Sequence, residues 1–280
     1  MFISDIFKNK KPISFEIFPP KGELSLESFR ETMIPLAKLS PDYISVTCSA
    51  GGTGHRDRTA MLAGIIKNEF GIEACAHLTC INSDEKRIIE DVECIKANGI
   101  ENILALRGDI SPGGVPGEFR HASDLMKFID DDELCLGGAC YPEGHVESQK
   151  PDDDLIHLYG KQQAGAKFLV TQLFFENERF YRFLEKIRKA GITIPVTTGV
   201  MPILGKSQIS RMIFMCGASL PSEIIRILNR YENDPDSLCK AGIDYAARQI
   251  EDLLKNGADG AHIYTMNRPE IATSILEYLK

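Results

Sequence analysis

The 280-residue chain has no tryptophan, and no apolar run in it approaches the roughly 20 residues that a membrane span needs. Its opening, MFISDIFKNKKP, is too short and too polar for a secretion signal. Positive charge is in deficit: 32 Lys and Arg face 40 Asp and Glu, a formal net charge of −8. That balance argues against nucleic acid or an anionic membrane surface as partner. No C-x-x-C pair occurs among the eight cysteines, and Cys75, Cys135 and Cys140 sit within apolar runs. Buried, reduced thiols in a cytoplasmic protein are therefore expected. The six histidines show neither H-x-H nor H-E-x-x-H spacing, so no metal-ligand set is visible. Cys75 and His77 do not make one with Cys80, which falls on the opposite strand face. No G-x-S-x-G elbow marks a serine hydrolase. The turn after the first apolar run is PPKGEL, without the G-x-G-x-x-G of an open dinucleotide-binding sheet.

What the chain does have is a repeat of apolar, β-branched runs. They are 13–18, 43–48, 73–80, 102–106, 134–141, 167–174, 194–199 and 261–265. Most intervals between them hold an amphipathic segment of helical length, such as SLESFRETMIPLAKL. DEKRIIEDVECIKANG opens on a capping residue and closes on Gly99, placed to end a helix. Eight strands alternating with helices in a chain of this length predict a single closed (β/α)8 barrel spanning 1–280. The last interval is about twice the usual length and predicts extra helices before the eighth strand, in QISRMIFMCG and PSEIIRILNR.

Barrel enzymes work at the C-terminal ends of their strands. There this sequence offers Glu16, Thr47, His77 and Thr79, then Arg107, Gly108 and Asp109, and further on Tyr141, His145, Gln172, Tyr264, Asn267 and Arg268. Singly, each has an ordinary reading as a cap or loop partner. Together they predict a pocket for a large polar ligand. Glu16 stands out, because ISFEIFPP puts a carboxyl in an apolar strand, where it must be paired or chemically used. Pairing with Arg107 or Arg268 is the structural alternative.

Nine segments in this order, SFEIFPPK, DYISVTCSAGG, RDRT, AHLTC, ILALRGD, ASDL, YPEGH, TQLFF and YTMNR, resemble the catalytic domain of the methylenetetrahydrofolate reductase family, in its short bacterial form. The resemblance implies a (β/α)8 barrel holding FAD, with no regulatory domain, that reduces 5,10-methylenetetrahydrofolate to 5-methyltetrahydrofolate in one-carbon metabolism. It implies FAD contacts from Thr47, Ala50, His77, Arg107, Gly108, Asp109, Ala122, Tyr141, His145, Asp154 and Lys161. His121 stands where some members carry a tyrosine, and His157 shares a helix face with Asp154 and Lys161. By the same resemblance Glu16 is the general acid that protonates folate N10, opening the methylene bridge to an N5 iminium that takes the flavin hydride. Asp109 then lies beside the flavin, and Gln172, Tyr264 and Arg268 hold folate.

One departure concerns the electron donor. The loop after the seventh strand, PILGKSQ, lacks the aromatic found there in some members; Lys206 is near that place, and the next aromatic is Phe214. NADH is expected to be a poor or absent direct donor, with a partner protein or a reduced carrier supplying electrons in place of NAD(P)H, and with Lys206 free to meet a folate carboxylate or an acidic partner. A flavin- or folate-binding subunit of a larger complex is the alternative function, and a homo-oligomer or a partner subunit remains open. A Schiff-base lyase is disfavoured, since only Lys21 and Lys161 lie near strand ends.

Overall fold

The structure, a computed structural model, describes residues 1–20, 25–48, 56–110, 117–148, 150 and 152–280. Eight strands run in parallel: β1 (Ile13–Ile17), β2 (Tyr43–Val46), β3 (Glu73–Thr79), β4 (Asn102–Leu106), β5 (Cys135–Cys140), β6 (Phe168–Thr171), β7 (Val196–Val200) and β8 (Gly260–Tyr264). Each pairs with the next, and β8 returns to β1, so the sheet closes. This is a (β/α)8 barrel, and the expected strands are its strands, with ends that differ from the expected ones by at most three residues.

Helices alternate with the strands because the intervening segments carry one apolar face. α2 (Leu26–Lys38) buries Phe29, Met33 and Leu36, and Ser25 caps it by accepting from Ser28 N at 3.2 Å. α4 (Glu85–Ala97) starts at Asp84, whose side chain accepts from Arg87 N, and ends before Gly99 at φ +77°. The long interval before β8 folds as α8 (Lys206–Cys216), α9 (Ser222–Arg230) and α10 (Pro235–Lys255), the extra helices expected there. Among the described residues, no helix is long and apolar enough to cross a membrane.

Two apolar layers hold the barrel. Phe15, Ile17, Ile44 and Val46 point outward into the core beneath the helices. Inside, Tyr43, Cys75, Leu104, Cys135, Phe168 and Val170 pack against Ile3 and Ile6 of α1 (Ile3–Ile6), which plugs the N-terminal end. Asn102 Oδ1 accepts from Ile3 N at 2.8 Å and fixes the plug. Phe168 has room only because β5 carries glycine: a Cβ on Gly137 would lie 2.6 Å from its Cε2. Gly137→Ala is therefore expected to cost about 1–3 kcal/mol by overpacking, read as a lower urea midpoint at unchanged slope.

Candidate active site

Period two along β1 turns Ser14 and Glu16 inward. Register against the neighbouring strands sets Ser45 and Tyr264 beside Glu16, and Tyr43 and His262 beside Ser14. Above them opens a cavity of about 550 Å³, within the size range of small-molecule sites. Glu16, Thr47, His77, Arg107, Gly108, Asp109, His121, Ala122, Tyr141, His145, Asp154, His157, Lys161, Gln172 and Tyr264 all line it. Ala50 lies outside the described residues. Arg268 is not on this wall: it caps α11 (Pro269–Leu279) and pairs with Glu270 at 2.7 Å.

Neither Arg107 nor Arg268 is paired with Glu16. Arg107 is bound to Glu147 at 2.5 Å and Arg268 to Glu270. Oε2 of Glu16 instead faces two imidazoles, His77 Nε2 at 3.7 Å and His262 Nε2 at 3.6 Å. Burial lowers the His77 pKa to about 4, so it is neutral near pH 7, and its Nε2 has no hydrogen-bond partner among the described residues. Burial pushes the Tyr264 phenol well above its ordinary value, and Cys75 likewise. Of the groups around the carboxyl, His77, Tyr264 and Cys75 are thus uncharged near neutral pH.

The rest of the wall divides by chemistry. Lys161 is half-buried, donates to the Ala139 carbonyl at 2.7 Å and stands 5.7 Å over the Tyr141 ring. Burial lowers its pKa, as expected of a cation drawn out of water. His121 and His157 stack at 4.5 Å between centroids, and Tyr141 meets His145 edge-on at 4.7 Å. Asp154, in the first turn of the helix Asp153–Gln163, holds the preceding loop: it accepts from His145 N at 2.9 Å and from Ser148 Oγ at 2.6 Å. Gln172 Oε1 accepts from Leu173 N at 2.8 Å, leaving its amide N–H groups for other partners. Gly108 sits at φ +85°, and its missing side chain lets the backbone form the wall.

One strand-end reading changes. Asn267, read as a strand-end ligand group, ties the chain after β1: it donates to Phe18 O at 2.8 Å and accepts from Phe18 N at 3.0 Å. Lys206 donates to Glu232 at 2.5 Å on the surface. Ser14, Ser45 and His262 were absent from the strand-end reading. They lie a layer below the mouth, and only the β1–β2 and β1–β8 registers bring them under Glu16.

These features fit FAD on this structure's own grounds. A buried imidazole nitrogen lacks a partner and lines the cavity, two cations flank the wall, and a glycine backbone offers close approach to a flat ring.

Fold and site define a barrel protein with a polar ligand cavity at its C-terminal mouth. Residues 3–280 match the family model described as methylenetetrahydrofolate reductase, and the chain belongs to that family of oxidoreductases. The 5,10-methylenetetrahydrofolate reductase of Escherichia coli K12 is 32% identical over 268 residues, covering 95% of this chain and 90% of that protein. Methylenetetrahydrofolate reductase 1 of Schizosaccharomyces pombe is 32% identical over 281 residues, covering 98% of this chain and 46% of that protein. Methylenetetrahydrofolate reductase (NADH) 1 of Zea mays is 34% identical over 280 residues, covering 94% and 47% respectively. The chain thus spans less than half the length of the fission-yeast and maize relatives. A Clostridium thermocellum protein described as binding two copies of 5-methyl-5,6,7,8-tetrahydrofolic acid shares the fold at TM-score 0.65 and 16% identity, covering 99% of this chain and 98% of that one.

Proposed function

We propose that the chain reduces 5,10-methylenetetrahydrofolate to 5-methyltetrahydrofolate with FAD as cofactor and Glu16 as general acid. The observation that carries this reading is Glu16 itself, a carboxyl at the mouth of the barrel faced by two imidazoles while both nearby arginines are paired elsewhere. A carboxyl unclaimed by a cation is free to carry a proton and to give it up. Family membership supplies the substrate class.

Arg107, Gly108, Tyr141, His145, His121, His157 and Lys161 would hold the cofactor, the cations meeting its negative groups. When bound, the flavin supplies the hydride. Glu16 hands its proton to folate N10, which releases the methylene bridge as an N5 iminium ready for reduction. The N–H groups of Gln172 and the ring of Tyr264 orient the pterin, and Asp109 accepts from its N–H groups. The Asp154 carboxylate keeps the loop carrying His145 and Ser148 in place.

The test is anaerobic. FAD-loaded protein is reduced with dithionite and mixed with methylenetetrahydrofolate; return of the oxidised flavin spectrum with formation of 5-methyltetrahydrofolate is expected. Protein that takes up no flavin, or reduced flavin that persists with the folate, overturns the reading. Bleaching by NADH and by NADPH in turn identifies the donor; the name of the maize relative makes NADH the first to try.

Asp109→Asn is expected to raise the flavin midpoint potential by tens of millivolts. Loss of a nearby negative charge of ~1–3 kcal/mol influence favours the reduced ring by that amount in a two-electron couple. Equilibration with a reference dye measures it; an unchanged potential places Asp109 away from the ring.

A further inference from the structure

A second cleft, of about 460 Å³, opens beside the cavity described above. Tyr141, His145, Asp154 and Phe183 line both, so the two spaces adjoin. One wall of the cleft is α7 (Asn177–Lys189), the helix that follows β6 and Gln172. Arg179, Arg182 and Lys186 line the cleft from α7 at i, i+3 and i+7, one face of the helix. Lys150 lines it from the loop before α6 (Asp153–Gln163). Among the described residues, these four cations meet two carboxylates in the lining, Glu143 and Asp154. Both carboxylates are already served. Glu143 accepts from Ser219 N at 3.0 Å and from the Ser219 hydroxyl, and Asp154 accepts from His145 N and Ser148 Oγ. The α7 cations pair with exposed carboxylates: Arg179 with Glu176 at 3.2 Å, Arg182 with Glu178 at 2.9 Å and Lys186 with Asp152 at 3.1 Å. Surface pairs of this kind contribute little, so a ligand anion shares or replaces them at small cost.

Resting on the function proposed above, we infer that this cleft is the subsite for the anionic tail of the folate: the pterin lies in the cavity, and the glutamate carboxylates, with any further γ-linked glutamates, run along Arg179, Arg182, Lys186 and Lys150. A folate carries its pterin at one end and its carboxylates at the other, so a pterin held at Gln172 sends the tail towards cations farther out. Arg268, expected to hold folate, stands off the cavity wall on Glu270. Arg107 and Lys161 serve the cofactor in the proposed reading. Tyr141 and Phe183, shared by both spaces, give the aromatic middle of the molecule a surface to cross. The chain as a whole carries a formal charge of −8 and repels a polyanion, so a tail is drawn in where positive charge is gathered locally. The phosphates of a dinucleotide share this chemistry, and the test separates the two sources.

The test is equilibrium dialysis of 5-methyltetrahydrofolate, carrying either one or five γ-linked glutamates, against FAD-loaded protein. The parent is expected to hold the longer form roughly 5–30-fold more tightly, with the advantage shrinking as salt is raised. Arg182→Glu combined with Lys186→Glu reverses the charge of the stripe at two exposed positions and is expected to bring the two forms to within about twofold of each other. Should that protein fail to fold, Arg182→Gln with Lys186→Gln carries the test, with a ratio expected to fall to about half the parent's or less. FAD affinity, titrated by flavin fluorescence, is expected to stay within about twofold of the parent's in either variant. A parent indifferent to chain length overturns the inference, as does a variant that keeps the parent's ratio. A variant whose affinity for FAD or NADH falls while its folate ratio holds gives the cleft to dinucleotide phosphates and overturns it too. A parent that binds neither folate overturns the proposed function as well; a parent that turns over methylenetetrahydrofolate yet ignores chain length overturns this inference only.

Discussion

Glu16→Gln is expected to bind FAD and accept electrons as the parent does, and to reduce methylenetetrahydrofolate ~10²–10⁴-fold more slowly, the usual worth of a general acid. Glutamine keeps the size and one acceptor oxygen but has no transferable proton, so its effect isolates proton delivery. Its neighbours make it a clean substitution. Glu16 has no ion pair with Arg107 or Arg268, whose partners are Glu147 and Glu270, so removing its charge leaves no buried cation unpaired. Folding stability should accordingly stay near the parent's. Single-turnover reoxidation of the reduced flavin measures the effect directly. A Gln protein at the parent's rate would remove Glu16 from the acid role.

Gly199→Ala is expected to have the second largest effect, by geometry alone. A Cβ there would sit 2.6 Å from the Tyr264 hydroxyl and nearer still to the Thr171 carbonyl. These two atoms are themselves hydrogen-bonded, the phenol donating to the carbonyl at 3.1 Å across the mouth of β7. One is backbone and cannot retreat, so the phenol must give way and the cavity wall with it. Overpacking of this kind costs about 1–3 kcal/mol in stability, and a displaced wall residue can cost ~10²-fold in rate. The prediction is a rise in the folate concentration needed for half-maximal rate, together with a lower thermal midpoint. Gly199→Ala with parent-like kinetics would show that Tyr264 does not bound the substrate.

The barrel was legible because its signal is local. Strand β4 was read at 102–106, the bounds it has, since its apolar run begins and ends with the strand. β6 was read to residue 174 but ends at Thr171: Gln172 turns its side chain onto Leu173 N, and an apolar run cannot announce that. Glu16 was found because a carboxyl in an apolar strand is a conflict visible in eight letters. His262 gave no such signal. It lies inside a short strand two residues before Tyr264, and its importance comes from facing Ser14, which only the closing register decides. Asn267 and Arg268 lie beyond a strand end, as ligand residues do. Their partners, Phe18 and Glu270, become visible only in three dimensions.

The bond between Ser14 and His262 spans 248 positions of the chain. A ribosome adding roughly 5–20 residues per second makes β1 well before its last neighbour exists. Until β8 emerges, β1 and β7 each present an unpaired edge, the kind of surface on which chains stick to one another. The same late strand both seals those edges and delivers the imidazole beneath Glu16. A nascent or truncated product lacking it would be prone to aggregate and without a completed acid site, so solubility and competence should arrive together, at the end of synthesis.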